Sequence, residues 1–176
     1  MSQVVRKSFE NLIQHVKENP NNTVSSFETT SVLGKQLGVQ VSSRQFQIHF
    51  DEPEVLGGTD QAPNPVEYVL GALGACQAIV YRALSSLKGI QLESVTVKTR
   101  GDLDFKGFLG LDSDVRPGFK KVEFETIIVS DEAPEKLYSL SREVEALCPV
   151  LDIISEPLDV RGKVTIKSKK FHLEAV

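Results

Sequence analysis

The sequence has no tryptophan, only two cysteines and only three histidines. The scarcity of cysteine and histidine excludes two classes of protein. Two cysteines are too few for the disulfide scaffold that stabilises small secreted domains. They are also too few for a four-ligand zinc site, because the histidines are scattered along the chain. No Gly-rich phosphate loop, HExxH or GxSxG motif occurs. We therefore expect no metal and no cofactor, and any chemistry is expected to involve sulfur.

Long apolar runs and strong charge are missing as well. No stretch approaches the roughly 18 uncharged apolar residues of a membrane helix, and Met1 to Glu10 carries Arg6 and Lys7 where a signal peptide has its apolar core. A net charge of -4, without basic runs interleaved with aromatics, argues against binding nucleic acid. We expect a cytoplasmic globular protein that binds neither membrane nor nucleic acid.

The length of 176 residues suits one domain that buries a sizeable core. Ahead of that domain, Ser8 to Glu18 has apolar residues at helical spacing, and Pro20-Asn21-Asn22 then ends the helix. We predict an N-terminal helical extension over residues 1–22 and the main domain over residues 23–176.

Alternation of apolar and polar residues predicts the strands. It runs from Thr23 to Phe50, where Gly34 and Gly38 suggest a hairpin turn, and Asp51 to Pro65 is dense in turn residues and is predicted to be a loop. Further strands are predicted over Ser94–Gly101, Phe119–Val129 and Pro157–Leu173, with an exposed loop or loose hairpin over Asp102–Gly118.

Two further segments are predicted to be helices. The first begins at an Asn64-Pro65 cap, is apolar on most sides and ends at Lys88-Gly89, which predicts a central, buried helix with Cys76 in its middle. The second runs from Ala133 to Cys148, and Pro149 helps to close it. The order of helices and strands predicts an α+β fold rather than a doubly wound sheet.

Both cysteines lie on, or next to, the apolar face of a predicted helix. If the two helices pack face to face, Cys76 and Cys148 meet, which is consistent with a redox pair and equally with two ordinary core residues. Cys76 is too far from its helix N-terminus to be activated there, and a helix C-terminus disfavours a thiolate at Cys148. A cationic side chain would have to activate the thiol. Arg44, on a strand before the loop, is the favoured candidate and His49 the second, although an exposed strand arginine is the simpler interpretation.

Glu67 is the acid at the start of the central helix. It either interacts with the helix dipole in the first turn or serves the site by orienting an arginine or holding a proton. It lies about 180° around the helix from Cys76, which does not favour direct cooperation.

Two segments carry a resemblance to a known family. LGGTDQAPNPVEYVLGALGAC, from Leu56 to Cys76, resembles the signature of the OsmC/Ohr-like proteins (osmotically inducible protein C and organic hydroperoxide resistance proteins). ALCPVLDIISEPLDV, from Ala146 to Val160, resembles its C-terminal half. The resemblance extends over about Arg44 to Val164, and Arg116-Pro117-Gly118-Phe119 fits an OsmC-like subgroup.

The resemblance implies an intertwined homodimer in which curved antiparallel sheets surround long central helices. It also implies a thiol peroxidase for organic hydroperoxides, regenerated by a lipoyl-type dithiol. Cys76 would attack the peroxide and Cys148 would resolve the sulfenic acid to a disulfide. Arg44 and Glu67 would assist, although the glutamate of such peroxidases corresponds to Val66 here.

Two other functions remain open from the sequence. One is an OsmC-fold protein that binds an apolar or electrophilic small molecule without turnover, and the other is a structural dimer whose cysteines only pack. The sequence does not show which peroxide or reductant would be used, whether Arg44 or His49 supports the thiolate, or what the N-terminal helix does.

Overall fold

Residues 3–167 are described by the computed structural model, and they form five α-helices, five β-strands and one 3₁₀-helix. The predicted α+β fold is confirmed. The helices are α1 (Gln3–Glu18), α2 (Pro65–Lys88), α3 (Phe105–Phe108), α4 (Pro134–Leu147) and α5 (Pro149–Ser155). The strands are β1 (Thr30–Leu33), β2 (Val39–Ser43), β3 (Phe46–Phe50), β4 (Ser94–Leu103) and β5 (Phe119–Val129), and the 3₁₀-helix covers Glu54–Leu56.

The strands form two small antiparallel sheets. One has the order β1-β2-β3, and the other is the long β4-β5 hairpin. Along β4, exposed side chains alternate with half-buried ones such as Val95 and Val97. One face of a half-buried strand must pack against another element. In this fold α2 packs against β4, and α1, α4 and α5 also contact α2.

The core lies where α2 and α4 meet the β4-β5 sheet. Tyr81 of α2 is buried together with Leu140 and Val144 of α4 and with Ile90 and Leu92 of the α2–β4 connection. The Tyr81 hydroxyl is hydrogen-bonded to Ser141 of α4, so its polar end is satisfied inside the core.

By length and composition α2 is apolar enough to cross a membrane, the one such helix among residues 3–167. The central helix of a soluble protein can have the same length and composition. Because α2 packs against four other elements of the chain, we interpret it as the core helix of the domain.

A single carboxylate organises the loop that leads into α2. Asp51 is 4% exposed and accepts hydrogen bonds from the backbone N–H groups of Glu52 (2.9 Å), Thr59 (3.0 Å) and Gln61 (3.2 Å) and from the Thr59 hydroxyl (2.6 Å). The Thr59 hydroxyl is the largest contributor, and together these bonds lower the pKa of Asp51 to about 2. The carboxylate therefore ties the beginning of the predicted Asp51–Pro65 loop to its second half.

Several predicted boundaries are wrong. The first helix begins at Gln3, not Ser8, because residues 3–7 contain no helix breaker and Arg6 forms an i,i+4 ion pair with Glu10. The first strand begins at Thr30, not Thr23. Arg44 lies not on a strand but in the β2–β3 turn, where its φ of 53° is left-handed. In the predicted Asp102–Gly118 loop, β4 continues to Leu103 and the single turn of α3 follows.

The predicted last strand is also wrong over residues 157–167, which have no regular secondary structure. Val160, Val164 and Ile166 are 85–90% exposed there. Alternation alone does not make a strand, because a strand needs a hydrogen-bonding partner, and none of the five strands pairs with this segment. Residues 168–173 of that prediction lie outside the described residues.

We predict that Asp51→Asn lowers the melting temperature by several degrees at pH 7, because an amide cannot replace the ionised acceptor. Since folding lowers the pKa of Asp51 from 3.8 to about 2, its contribution to stability is present above pH 4 and is lost as the pH falls toward 2. Thermal unfolding of the two proteins between pH 7 and pH 2 measures this difference.

Asp60→Asn is the matched control, because Asp60 is an exposed carboxylate of the same loop. It should leave the melting temperature nearly unchanged. A difference between wild type and Asp51→Asn that does not shrink below pH 4 would contradict the role given to the Asp51 charge.

Candidate functional site

Local signals fix the position of α2, and with it Cys76. Asn64 accepts a hydrogen bond from the Glu67 N–H (2.9 Å), and the Glu67 carboxylate accepts one from the Asn64 N–H (2.9 Å), which forms a capping box. Pro65 occupies the first turn, and Gly89, with a φ of 70°, ends the helix. The predicted cap and end of this helix are confirmed, and Cys76 lies half-buried in its middle.

Cys148 lies at a junction that the sequence did not reveal. It ends α4, as predicted, but it also directly precedes α5, which begins at Pro149. The backbone N–H groups of Leu151 and Val150 interact with its sulfur. The sequence predicts Cys148 only at a helix C-terminus, where a thiolate is disfavoured, whereas the N–H groups of α5 favour one. Pro149, which was interpreted as closing α4, also begins α5.

The two thiols meet in the fold although 72 positions separate them in the sequence. Cys76 lies close enough to Cys148 to shift the pKa of its thiol, since α2 packs against both α4 and α5, and both cysteines are free. Burial raises the pKa of the Cys148 thiol above its ordinary value, and the neighbouring Cys76 raises it further. The N–H groups of Leu151 and Val150 oppose this shift.

The two thiols differ in exposure, which decides what each can do. Cys148 is 1% exposed and Cys76 is half-buried, so a reagent from solvent reaches Cys76 more readily. If one sulfur is oxidised, the other thiol is already its neighbour. An intramolecular disulfide can therefore form. Among residues 3–167, no group of three or more His, Cys, Asp or Glu side chains is arranged to hold a metal ion.

A cavity of about 310 Å³ lies near the pair, although neither cysteine lines it. Leu73, one turn before Cys76 along α2, and Leu151, whose N–H faces the Cys148 sulfur, both line it. Three cations also line it, of which Lys120 pairs with Asp104 and Lys121 with Glu123. Arg116 forms no ion pair among the described residues. In the sequence Arg116 stands out only as part of the family motif, and no pattern there marks it as the cation of the site.

The fold does not bring the other predicted site residues to the thiols. Glu67 closes the α2 cap, which is the structural interpretation considered from the sequence. Arg44 places its guanidinium 5.1 Å from the ring centre of Phe46, and His49 is an exposed residue of β3. Among residues 3–167, no hydrogen bond or ion pair joins any of the three to either cysteine.

A second, more apolar cavity of about 480 Å³ lies at the beginning of α2. Glu67 and Arg100 contribute polar groups, and neither cysteine lines this cavity. Its apolar lining comes from α2, β4, α3 and β5, mainly Leu70, Leu103, Phe105, Phe108 and Phe119.

The sequence matches the family model described as OsmC-like protein over residues 58–163. That range contains α2, both sheet-forming strands of the long hairpin, α4 and α5, and therefore both thiols. No curated protein sequence matches the chain.

Solved structures share the fold at low sequence identity. An OsmC-like protein from Mycoplasma pneumoniae is 19% identical, with a TM-score of 0.65 over 74% of this chain and 87% of that one. An organic hydroperoxide resistance protein OsmC from Legionella pneumophila is 19% identical, with a TM-score of 0.57 over 76% and 92%. An organic hydroperoxide resistance protein from Vibrio cholerae, with captopril bound in one of its active sites, is 16% identical, with a TM-score of 0.55 over 77% and 88%.

The unequal thiols lead to a prediction about alkylation. At pH 8, iodoacetamide should label Cys76 of the native protein well before Cys148, because Cys148 is buried and its raised pKa leaves little thiolate. Peptide mapping by mass spectrometry after timed quenching measures both rates. In denaturant the two rates should become similar, and faster native labelling of Cys148 would contradict the described burial.

Proposed function

The chain belongs to the OsmC-like protein family, and we propose that it reduces organic hydroperoxides with the Cys76–Cys148 thiol pair. The observation that carries this proposal is the proximity of the two thiols, which is close enough for Cys76 to raise the pKa of Cys148. The fold of organic hydroperoxide resistance proteins in Legionella pneumophila and Vibrio cholerae supports it. If Cys76 and Cys148 were ordinary core residues, their burial would be explained. Their position next to each other would not.

In the proposed reaction, the Cys76 thiolate attacks the distal oxygen of the hydroperoxide. A sulfur–oxygen bond forms, the O–O bond breaks, and the alkoxide leaves and takes up a proton to become an alcohol. Cys148 then attacks the oxidised sulfur, so that a disulfide forms and the sulfenic oxygen leaves as water. A dithiol returns two electrons and restores both thiols. We propose a lipoyl-type dithiol for this step, on the basis of the family resemblance.

The different exposure of the two thiols supports these proposed roles. Cys76 is half-buried and within reach of a substrate, whereas Cys148 is 1% exposed and is shielded from solvent by the protein around it. The raised pKa of Cys148 keeps it protonated while Cys76 reacts. The N–H groups of Leu151 and Val150 then favour its thiolate when the disulfide forms. Free thiols with this role suit a reducing compartment, so we propose a cytoplasmic location.

Activation of Cys76 requires a positive charge nearby. Arg44 and Glu67, expected from the resemblance, stay proposed assistants, and each would have to act across a subunit contact or after a rearrangement. Arg116 is a second proposed source of charge, because it lines the cavity that lies near the thiols and has no carboxylate partner among the described residues.

We also propose that the active form is a homodimer. Two apolar residues lie exposed on the side of α2 that bears Cys76. Ile79, one turn after Cys76, is 64% exposed, and Val69 is 42% exposed. A helix that is apolar on most sides is expected to be buried on most sides. Ile153 of α5 is 53% exposed. Exposed apolar faces of this kind indicate a protein interface. A second copy placed on this face would cover the approach to Cys76 and form part of the substrate site.

A second candidate function is the binding of an apolar small molecule. The cavity of about 480 Å³ at the start of α2 has a size typical of ligand sites, and its lining combines aromatic rings with three charged residues. Neither thiol lines it, so binding there would need no redox chemistry. An apolar compound that co-purifies with the protein, together with cysteines inert to peroxide, would favour this function.

We predict that the purified protein consumes cumene hydroperoxide in the presence of dihydrolipoamide. Cys76→Ser should abolish turnover, because the nucleophile is lost. Cys148→Ser should still react once per chain but should not turn over efficiently, because the resolving thiol is lost. Peroxide consumption, followed by a colorimetric assay, distinguishes the three proteins. Turnover that persists in Cys76→Ser would contradict the assignment, and an inert wild type would leave ligand binding as the better proposal.

The dimer is tested separately. Ile79→Glu places a charge on the exposed face of α2 and should convert a dimer to a monomer, because burial of an unpaired charge is unfavourable. Ile79→Val keeps the face apolar and should remain dimeric. Light scattering after size exclusion gives the mass of each. A wild type that is monomeric at micromolar concentration would contradict the proposal.

A further inference from the structure

One buried polar group near the thiols has no partner. The side chain of Gln77 is 1% exposed, and its amide nitrogen Nε2 has no hydrogen-bond acceptor in the described structure. A buried amide N–H without an acceptor lowers stability, and such groups are rare in folded proteins. An unpaired donor next to a candidate nucleophile therefore requires an explanation.

The helix contacts place Gln77 beside the thiol pair. Gln77 follows Cys76 directly and lies one turn after Leu73 and one turn before Tyr81, so these three share a buried face of α2. Across the interface, Cys76 lies close to Cys148 and Tyr81 contacts Ser141, so α2 and α4 run antiparallel. Gln77 lies in the stretch of α2 between Cys76 and Tyr81.

The side chains around Gln77 offer no acceptor to its amide. On α4, the buried residue between Ser141 and Cys148 is Val144, which is apolar and 0% exposed. The Ser141 hydroxyl is already bonded to Tyr81. In the reduced protein the amide N–H therefore has no hydrogen-bond acceptor among the described residues.

Reaction with a peroxide changes this, because it brings oxygen atoms to the Cys76 sulfur. We propose that the Gln77 amide donates a hydrogen bond to the oxygen that is transferred to Cys76, both while the O–O bond breaks and in the resulting sulfenic acid. This inference rests on the proposed peroxidase function. The donor is unpaired in the resting state and gains an oxygen acceptor as the sulfur–oxygen bond forms, so it stabilises the transition state more than the ground state.

The step itself is unchanged by this contact. The thiolate donates its electron pair to the distal oxygen, sulfur is oxidised by two electrons, and the alkoxide leaves with a proton. The amide keeps its own protons throughout. Gln77 would also stabilise the sulfenic oxygen until Cys148 displaces it as water.

Gln77→Met tests the proposal, because methionine has a similar volume and no donor. The single-turnover rate of Cys76 with cumene hydroperoxide should fall at least about tenfold. Its rate of alkylation by iodoacetamide, which transfers no oxygen, should change little. Comparing the two rates in one variant separates an effect on oxygen transfer from a general effect on thiol reactivity or folding.

Stability provides a second readout. Gln77→Met should keep or raise the melting temperature, because it removes an unsatisfied polar group. Tyr81→Phe, on the same face, is the matched control: it leaves Ser141 unpaired and should lower the melting temperature without changing the ratio of the two rates. A Gln77→Met protein with the wild-type ratio would overturn the role of Gln77 alone. A wild type whose Cys76 does not react with peroxide would overturn the peroxidase proposal as well.

Discussion

Antiparallel packing of α2 on α4 is the constraint on which the proposed site depends. The pairing of Tyr81 with Ser141 fixes the two helices at one point in the core, and Cys76 then meets Cys148 at another. Neither thiol could be placed by local structure, because 72 residues and the whole β4-β5 hairpin separate them. The hydrophobic core around Tyr81, Leu140 and Val144 therefore also holds the thiol pair together.

The position of α2 depends in turn on the loop that precedes it. Asp51 gathers the backbone N–H groups of that loop, and the capping box of Asn64 and Glu67 then begins the helix. The interactions of Glu67 with the cap give this carboxylate a structural task within the single chain. Any proposed task of Glu67 in catalysis would be added to this structural one.

The features that the sequence predicted correctly are those with local signals. The ends of α2 follow from Asn64-Pro65 and Gly89, and β5 follows from the alternation of apolar and polar residues between Phe119 and Val129. Where the signal was not local, prediction failed. The residues around Arg44 include no glycine, so they give no signal for a left-handed turn. The last predicted strand has a suitable pattern of residues but no partner strand in the described chain.

The candidate site divides in the same way. The family resemblance identified Cys76 and Cys148, and their positions on apolar helix faces made a meeting possible. The N–H groups of α5, the cavity with Arg116 and the unpaired amide of Gln77 depend on how distant segments pack, so no sequence pattern could predict them. For Gln77, the one signal in the sequence is a glutamine that follows a cysteine in an apolar helix. Whether that glutamine is buried and unpaired depends on the fold.

The most direct test of the thiol pair is to treat the reduced protein with one equivalent of cumene hydroperoxide and map its disulfides by mass spectrometry without reduction. The account predicts one intramolecular disulfide between Cys76 and Cys148, formed as both free thiols disappear. Two free thiols after complete mixing, or oxidation confined to Cys76 with Cys148 still reduced, would contradict it.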